Sequence, residues 1–362
     1  MKINRNIMDD AVSTKRARTE ELDTPLERIR GTRIVAELTE EEAKTAICTH
    51  SGTFHADEAL ACAMLKCLPQ YRDSVIVRTR SPDIISKCKG VVVDVGGKYD
   101  PSDRRLDHHQ RSFGEEHVYP GFNMKLSSAG LVYKHFGAEI IRSAFGPFEK
   151  DGVCAELTKK VYEKFIKEID AIDNGVSVAE DLRYRINTNL SARVSRLNPR
   201  WNAKVEETSD AARNARFKKA MEIAFDEFSI IARDLRDSWL PARAIVRRAL
   251  QSPVEVGIVK LERYCPWSGH LFDVERELGA VGKTLYVLYQ DTAGKWRVQA
   301  VPVSEGSFQS RKKLPEPWRG VRGKELDDAT GLNGCIFVHA AGFIGGAETY
   351  DVALALARKA LL

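Results

Sequence analysis

A short apolar run, Thr45-Ala46-Ile47-Cys48, passes directly into the polar turn Thr49-His50-Ser51-Gly52-Thr53-Phe54-His55-Ala56-Asp57-Glu58-Ala59. A helical pattern, Ala59-Leu60-Ala61-Cys62-Ala63-Met64-Leu65, follows at once. Strand, polar turn and helix in that order open an α/β unit, and in open α/β sheets ligands bind in the loops at the carboxyl ends of strands. This turn places three metal-ligating side chains, His50, His55 and Asp57, within eight residues.

The alternation continues. Val75-Ile76-Val77 reads as a strand, and Ser81-Pro82-Asp83-Ile84 as a short helix with serine cap and proline in the first turn. Val91-Val92-Val93, β-branched throughout and ending in Asp94, fits a strand buried on both faces of a parallel sheet. Arg105-Leu106-Asp107-His108-His109-Gln110 comes next, before a loop rich in glycine and charge. Ser127 or Ser128 caps a helix that Gly137 is expected to stop, and a second helix runs from about Val153 to Asp170, leaving at Asp173-Asn174-Gly175. From Arg213 to about Ser238 the stripe Phe217, Met221, Ala224, Phe225, Phe228 and Ile231 predicts a long helix ending near Pro241. Beyond Gln251-Ser252-Pro253 the pattern becomes mixed: strands near 257–261, 284–289 and 296–301, a hairpin turn at Asp291-Thr292-Ala293-Gly294, then Cys335-Ile336-Phe337-Val338-His339, a glycine-rich loop through Gly345-Gly346, and a closing helix from Tyr350.

The expected organisation is therefore a polar tail over residues 1–42, a parallel-sheet α/β domain over 43–250, and a smaller mixed α/β domain over 251–362. The net charge, 56 − 51 = +5, permits a polyanionic partner without demanding one. No apolar run approaches the roughly 20 residues of a membrane helix, so no membrane partner is expected. Seven cysteines without a CxxC pair, several inside apolar runs, point to reduced buried thiols in an intracellular compartment. Lys15-Arg16-Ala17-Arg18 has the form of a short nuclear localisation signal. Lys2, Arg5, Lys15, Arg16 and Arg18 are also compatible with a mitochondrial leader, whose positive face Asp9 and Asp10 interrupt.

In a parallel sheet the strand ends share one edge, which would gather His50, His55, Asp57, Asp94, Asp107, His108, His109 and Asp173 into one shallow pocket. Singly, Asp94 reads equally as a turn residue and Asp173-Asn174-Gly175 as a helix exit. Together with Asp-His-His and the His-x4-His-x-Asp turn they form a metal centre, because so many titratable groups at one point repel unless a cation neutralises them. Carboxylate oxygen and imidazole nitrogen without thiolate suit Mn²⁺ or Mg²⁺, with Zn²⁺ also compatible. A carboxylate bridging two ions makes a hydrolytic site that activates water and screens phosphate oxygens. His117, His135 and His270 have no ligand neighbours in sequence and are assigned to surface or core.

Asp107-His108-His109 resembles the signature of the DHH phosphoesterase superfamily, which includes RecJ-type exonucleases and family-II pyrophosphatases. The fuller resemblance is to the melanocyte proliferating gene 1 protein family. It rests on Thr49-His50 with Phe54-His55-Ala56-Asp57-Glu58-Ala59, Val93-Asp94-Val95-Gly96, Leu106-Asp107-His108-His109-Gln110, Ile169-Asp170-Ala171-Ile172-Asp173-Asn174-Gly175, Leu197-Asn198-Pro199 with Trp201-Asn202, and Phe337-Val338-His339 with Gly342-Phe343-Ile344-Gly345-Gly346. The likeness covers roughly residues 44–362. It implies a DHH-type phosphoesterase domain, and a 3′-to-5′ exonuclease of single-stranded RNA working in the nucleus or mitochondrion. It also implies His50, His55, Asp57, Asp94, His108 and Asp173 as ligands of two Mn²⁺ or Mg²⁺ ions, and His109 facing the substrate phosphate. His55 stands where most superfamily members carry aspartate. His339, Gly345 and Gly346 resemble the superfamily's substrate-binding loop, where glycine amides approach an anion.

Phosphodiester hydrolysis is the expected reaction, with His109 and Arg104 or Arg105 stabilising charge on the phosphate, in catalysis with Asp107. Arg183, Arg185, Arg193, Arg196 and Arg200 offer a track for a nucleic-acid backbone, and Trp201 a base-stacking surface. Two other readings share these residues: a phosphohydrolase of pyrophosphate or short nucleotides, and a noncatalytic RNA-binding protein. The oligomeric state is left open by the sequence, a dimer included.

Overall fold

The computed structural model describes residues 24–111, 113–114, 119 and 121–362; the basic cluster at 15–18 and His117 lie outside them. The chain forms two compact units that divide at Leu235/Arg236.

The first unit is built on a six-stranded sheet of β1 (Ile34–Val35), β2 (Ile47–Thr49), β3 (Ile76–Arg78), β4 (Val91–Val93), β5 (Tyr99–Asp100) and β6 (Arg105–Leu106). The order is β1-β3-β2-β4-β6-β5, parallel except for the β5–β6 pair. Ile47 is in register with Ile76 and Val91, and Val93 with Leu106. Every residue of β2, β3 and β4 is buried, as the β-branched run required. This register brings the residues following β2, β4 and β6 to one edge.

Behind the first turn runs the helix Ala56–Leu65, and all ten of its residues are buried. Four of its ten residues are alanine, so the helices Ser128–Phe145 and Asp210–Asp234 both pack against it closely. Glycine 137 does not stop the Ser128 helix, which continues to Phe145. A Cβ there would stand 3.1 Å from the Tyr133 ring, so the glycine admits a neighbour rather than ending a turn.

The tail expectation fails for residues 24–42. Pro25–Gly31 is a helix capped by Thr24, Ile34–Val35 is the edge strand β1, and Glu40–Thr45 is a helix with a Thr39/Glu42 capping box. Ile29 is fully buried, and Arg30 lies 3.8 Å from Glu222 on the Asp210 helix. One buried anchor and two caps order a segment whose composition is otherwise polar.

The long helix ends at Asp234, passes through a π-type turn at Leu235–Trp239, and is followed by the helix Leu240–Gln251 with Pro241 in its first turn. The unit boundary lies ahead of the expected 250/251 because Ala242, Ile245, Val246 and Ala249 belong to a core with Val259, Leu271 and Val287. The second unit's sheet is β7 (Ile258–Lys260), β8 (Tyr286–Gln290), β9 (Trp296–Ala300), β10 (Cys335–Val338) and β11 (Ile344–Ala347), in the order β10-β11-β9-β8-β7, with only β7–β8 parallel. Alternate residues serve opposite faces: Val287 and Tyr289 meet the Leu240 and Trp267 helices, Tyr286 and Leu288 the core of Leu326, Leu354 and Leu356. The β8–β9 hairpin turns at Asp291–Gly294 as expected.

None of the seven cysteines forms a disulfide, and all are buried. Among the described residues no helix is long and apolar enough to cross a membrane. His270 is in the core, with Nε2 2.7 Å from the Trp239 carbonyl, and His135 Nε2 lies 2.9 Å from the Tyr99 hydroxyl.

Candidate metal centre

Three strand ends and two helix ends deliver the centre. His50 follows β2, and His55 caps the Ala56 helix, whose first turn carries Asp57 and Glu58. Asp94 follows β4 with φ of 58°, a left-handed conformation costly for a non-glycine residue and concentrated at functional sites. Asp107, His108 and His109 follow β6, and Asp173 ends the helix Lys167–Asp173.

The His50 Nδ1–H donates to the Ser51 carbonyl at 3.1 Å, so Nε2 faces the carboxylates, 3.0 Å from Glu58 Oε1 and 3.3 Å from Asp94 Oδ2. Fixing one ring nitrogen this way is how ligating imidazoles are oriented. His108 Nε2 lies 3.2 Å from Asp94 Oδ1 and 3.3 Å from Asp173 Oδ2, yet neither contact is aligned as a hydrogen bond. Asp57 is 1% exposed and both its oxygens lack any partner.

The electrostatics follow. Burial, then Asp94, Glu58 and Asp173, push the Asp57 carboxyl well above the usual carboxylate range. Burial and Asp94 raise Asp173 against the pull of His108. For Asp94 burial is outweighed by His108 and His50, which hold its carboxyl low. Burial opposes charge on His50, but Asp94 and Glu58 raise it to about 10.

The ligand atoms fall into overlapping groups within 4.8 Å: Asp57, His108 and Asp173; Asp94, His108 and His109; Asp57, Glu58 and Asp94; His50, His55 and Glu58. Buried donor atoms with no hydrogen-bond partner, in a set of carboxylates and imidazoles, are what a divalent cation completes. The residues fit a metal.

A second layer fixes these ligands. Asp107 accepts the Gly97 N–H at 2.6 Å, the His109 N–H at 3.1 Å and the His109 Nδ1–H at 2.9 Å. Asp107 thus orients His109 rather than facing a metal itself, and it raises the His109 imidazole's pKa. Gly97, at φ of 64°, supplies the backbone turn that aims this N–H. Asn198 receives the Phe54 N–H at 3.1 Å and donates to the Phe54 carbonyl at 2.8 Å, clamping the turn between His50 and His55. Arg78 lies over the Phe217 ring at 4.4 Å and donates to the Gly52 carbonyl at 2.9 Å. Asp170 accepts the Ser127 N–H and hydroxyl and the Tyr162 hydroxyl; burial raises it to about 7.

A cleft of about 860 Å³ opens on this centre, lined by His50, His55, Asp57, Arg80, Asp94, His109, Asp173 and one face of the helix Leu190–Ser195. It contains an arginine, Arg80, that motif reading passed over; Arg80 donates to the Ser51 carbonyl at 3.2 Å. Glu58 was likewise missed as a partner of His50, although its place three residues after the His55 cap announced a capping interaction.

Other expected residues are placed elsewhere. Arg105 donates to the Cys88 carbonyl at 2.8 Å, lies 3.3 Å from Asp103, and does not line the cleft. Arg193 pairs with Glu227, and Arg196 donates to the Asn187 carbonyl at 2.7 Å; neither lines it. Both arginines occupy or follow a short helix whose cleft-facing residues are Ser191, Ala192 and Ser195. Trp201 is 97% exposed. His339, Gly345 and Gly346 belong to the second unit. Gly345 and Gly346 lie in strand β11, not in a loop, Gly346 paired with Arg297 and Phe337. A Cβ on Gly346 would stand 2.7 Å from the Phe337 ring, so this glycine makes room for side chains and its strand is paired on both sides. His339 Nδ1 accepts the Ala341 N–H at 3.0 Å.

Known proteins bear on this chain in three ways. The MYG1 exonuclease family model, described as uncharacterised protein family UPF0160, matches residues 46–361, which hold every residue of the centre. The MYG1 exonucleases of Bos taurus and Homo sapiens are each 49% identical over 330 residues, covering 88% of this chain and 85% and 86% of their own. The MYG1 protein of Dictyostelium discoideum is 44% identical over 322 residues, 87% of this chain and 96% of its own. The crystal structure of exonuclease RecJ bound to manganese aligns with 89% of this chain and 92% of that chain at 14% identity and a TM-score of 0.22, too low to bear on fold or chemistry. Matched over nearly all of its folded length, metal-ligand edge included, this chain belongs to the MYG1 exonuclease family.

Proposed function

We propose that the protein is a metal-dependent phosphodiester hydrolase that removes nucleotides from the 3′ end of single-stranded RNA, using two Mn²⁺ or Mg²⁺ ions. The observation that carries the hydrolytic reading is the buried, unpartnered Asp57 carboxylate beside the misaligned Asp94–His108 contact. The RNA specificity and polarity rest on the family resemblance, and the relatives named exonucleases accord with the nuclease activity.

His50, Asp57, Asp94, His108 and Asp173 would hold the ions, with Glu58 buried beside His50 and His55 at the exposed side of the group. When bound, divalent cations offset phosphate charge and acidify water. His109 presents its ring to the cleft with Nδ1 committed to Asp107, so Nε2 is the nitrogen that donates to a non-bridging phosphate oxygen. Asp107 raises that imidazole's pKa and holds the ring oriented. Arg80, at the cleft wall, supplies a second positive charge for the phosphate. Asn189, Ser191 and Ser195 line the opposite wall, where their polar side chains meet sugar and phosphate. We place the protein in the nucleus or mitochondrion.

The test is a digestion time course with end-labelled single-stranded RNA, single-stranded DNA and pyrophosphate, each with Mn²⁺, Mg²⁺ or chelator. A one-nucleotide ladder shortening from the RNA 3′ end, abolished by chelator and by Asp94→Ala, is expected. Phosphate release from pyrophosphate with RNA intact would overturn the RNA reading and leave a small-molecule hydrolase. RNA binding without turnover of any substrate would overturn the enzymatic reading.

A further inference from the structure

The parallel sheet has a second edge, where its strands begin. There a cavity of about 250 Å³ is lined by Arg28, Arg33, Lys66, Arg72, Asp73 and Ser74, among others. Among the described lining residues four are cationic and one, Asp73, is a carboxylate. That carboxylate, Asp73, is 88% exposed at its side chain and lies 3.3 Å from Arg72 Nε, while Arg33 lies 3.2 Å from Glu42.

Lys66 is the informative member. It ends the Ala56 helix, is 2% exposed, and donates from Nζ to the Ser74 carbonyl at 2.7 Å. An ammonium has three donors, and among the described residues no carboxylate lies within ion-pairing distance of this one. A charge taken out of water is costly unless a countercharge meets it. Burial brings Lys66 down to about 8, with Asp73 opposing the shift and Arg28 reinforcing it. The protein therefore holds a buried cation, ringed by further cations, on an open cavity many times the roughly 30 Å³ of a water molecule.

We propose that this cavity binds a phosphate-type oxyanion, with Lys66 supplying the buried charge and Arg72 and Arg33 the rim. Guanidinium forks and an ammonium arriving from several directions match a tetrahedral, multiply charged anion better than a planar carboxylate. The source is inorganic phosphate or the phosphate of a mononucleotide. The site is separate from the metal centre: Asp57 and Lys66 stand at opposite ends of a ten-residue helix, about 15 Å long at the usual rise.

The experiment is calorimetric titration of the full chain with inorganic phosphate, in chelator and at fixed ionic strength. Wild type and Asp94→Ala are expected to bind equally. Arg72→Gln, at a half-exposed position, is expected to bind about tenfold more weakly, the effect of one charge-assisted hydrogen bond. Lys66→Met is expected to lose binding without a lower melting temperature in phosphate-free buffer. A parallel titration with adenosine 5′-monophosphate separates the sources: tighter binding assigns the site to a nucleotide, equal or weaker binding to free phosphate. No binding by wild type overturns the proposal, as does binding lost in Asp94→Ala but kept in Arg72→Gln. Should Lys66→Met fail to fold, Arg72→Gln decides.

Discussion

Asn198→Ala tests whether the metal turn is held from outside. The asparagine makes two hydrogen bonds to the backbone of Phe54, a fully buried residue 144 positions earlier in the chain. Net values of about 0.5–1.5 kcal/mol per bond, with part of the penalty for an orphaned buried N–H, give roughly 2–3 kcal/mol. For a domain of this size that lowers the melting temperature by about 4–10 °C. The larger consequence falls on the ligands, because Phe54 precedes His55 and stands three residues before Asp57. Removal of such supporting contacts weakens metal sites by about ten- to a hundredfold. Mn²⁺ affinity, read from free-ion electron paramagnetic resonance, and thermal melting in chelator measure the two effects separately. Trp201→Ala, at a fully exposed position nearby, is expected to change neither. A Kd for Mn²⁺ within twofold of wild type, with the melting temperature lowered as expected, would refute the positioning argument and leave Asn198 a structural residue only.

Asp57→Asn is expected to abolish Mn²⁺ binding yet raise the metal-free melting temperature, since it removes a carboxyl that burial and the neighbouring acids make costly to keep in the fold, worth roughly 1 kcal/mol; melts with and without chelator check both halves. His50 makes the metal-free protein pH-sensitive. Its folded pKa of about 10 exceeds the ordinary 6.5, so its stabilising contribution is complete below about pH 6.5 and is lost as pH rises toward 10; melting in chelator across that range, against His50→Gln, checks the window. Arg80→Ala is expected to lower kcat/KM on RNA by about tenfold or more, as the loss of a charge-assisted phosphate contact. Arg105→Ala, outside the cleft, is expected to change it less than threefold per folded molecule, and steady-state kinetics on both variants decide.

The sheet edge was legible because its signals are local. A β-branched run ending in aspartate, and an Asp-His-His triplet after a leucine, declare strand ends within a few residues. The same locality hid the support. Nothing near Asn198 announces that its amide reaches Phe54, and nothing near Arg80 says that its strand end opens on the same cleft. Arg105 misled because its neighbours in sequence are site residues, whereas its own side chain serves the Cys88 carbonyl. Residues 24–42 carried readable caps, Thr24 with Glu27 and Thr39 with Glu42, but polar composition outweighed them. Gly345-Gly346 matched a loop motif while the flanking Ile344 and Ala347 extended a strand.

The buried Ala56 helix bears on how freely this chain can drift. Its alanines are flanked by packed helices on two sides, and its first turn carries Asp57 and Glu58. An added methylene at Ala59, Ala61 or Ala63 has nowhere to go except by shifting the helix, and with it the carboxylates. Substitutions there are therefore as restricted as at the ligands themselves, although these side chains bear no reactive group. Side-chain volume in this helix is inherited together with the chemistry at its end.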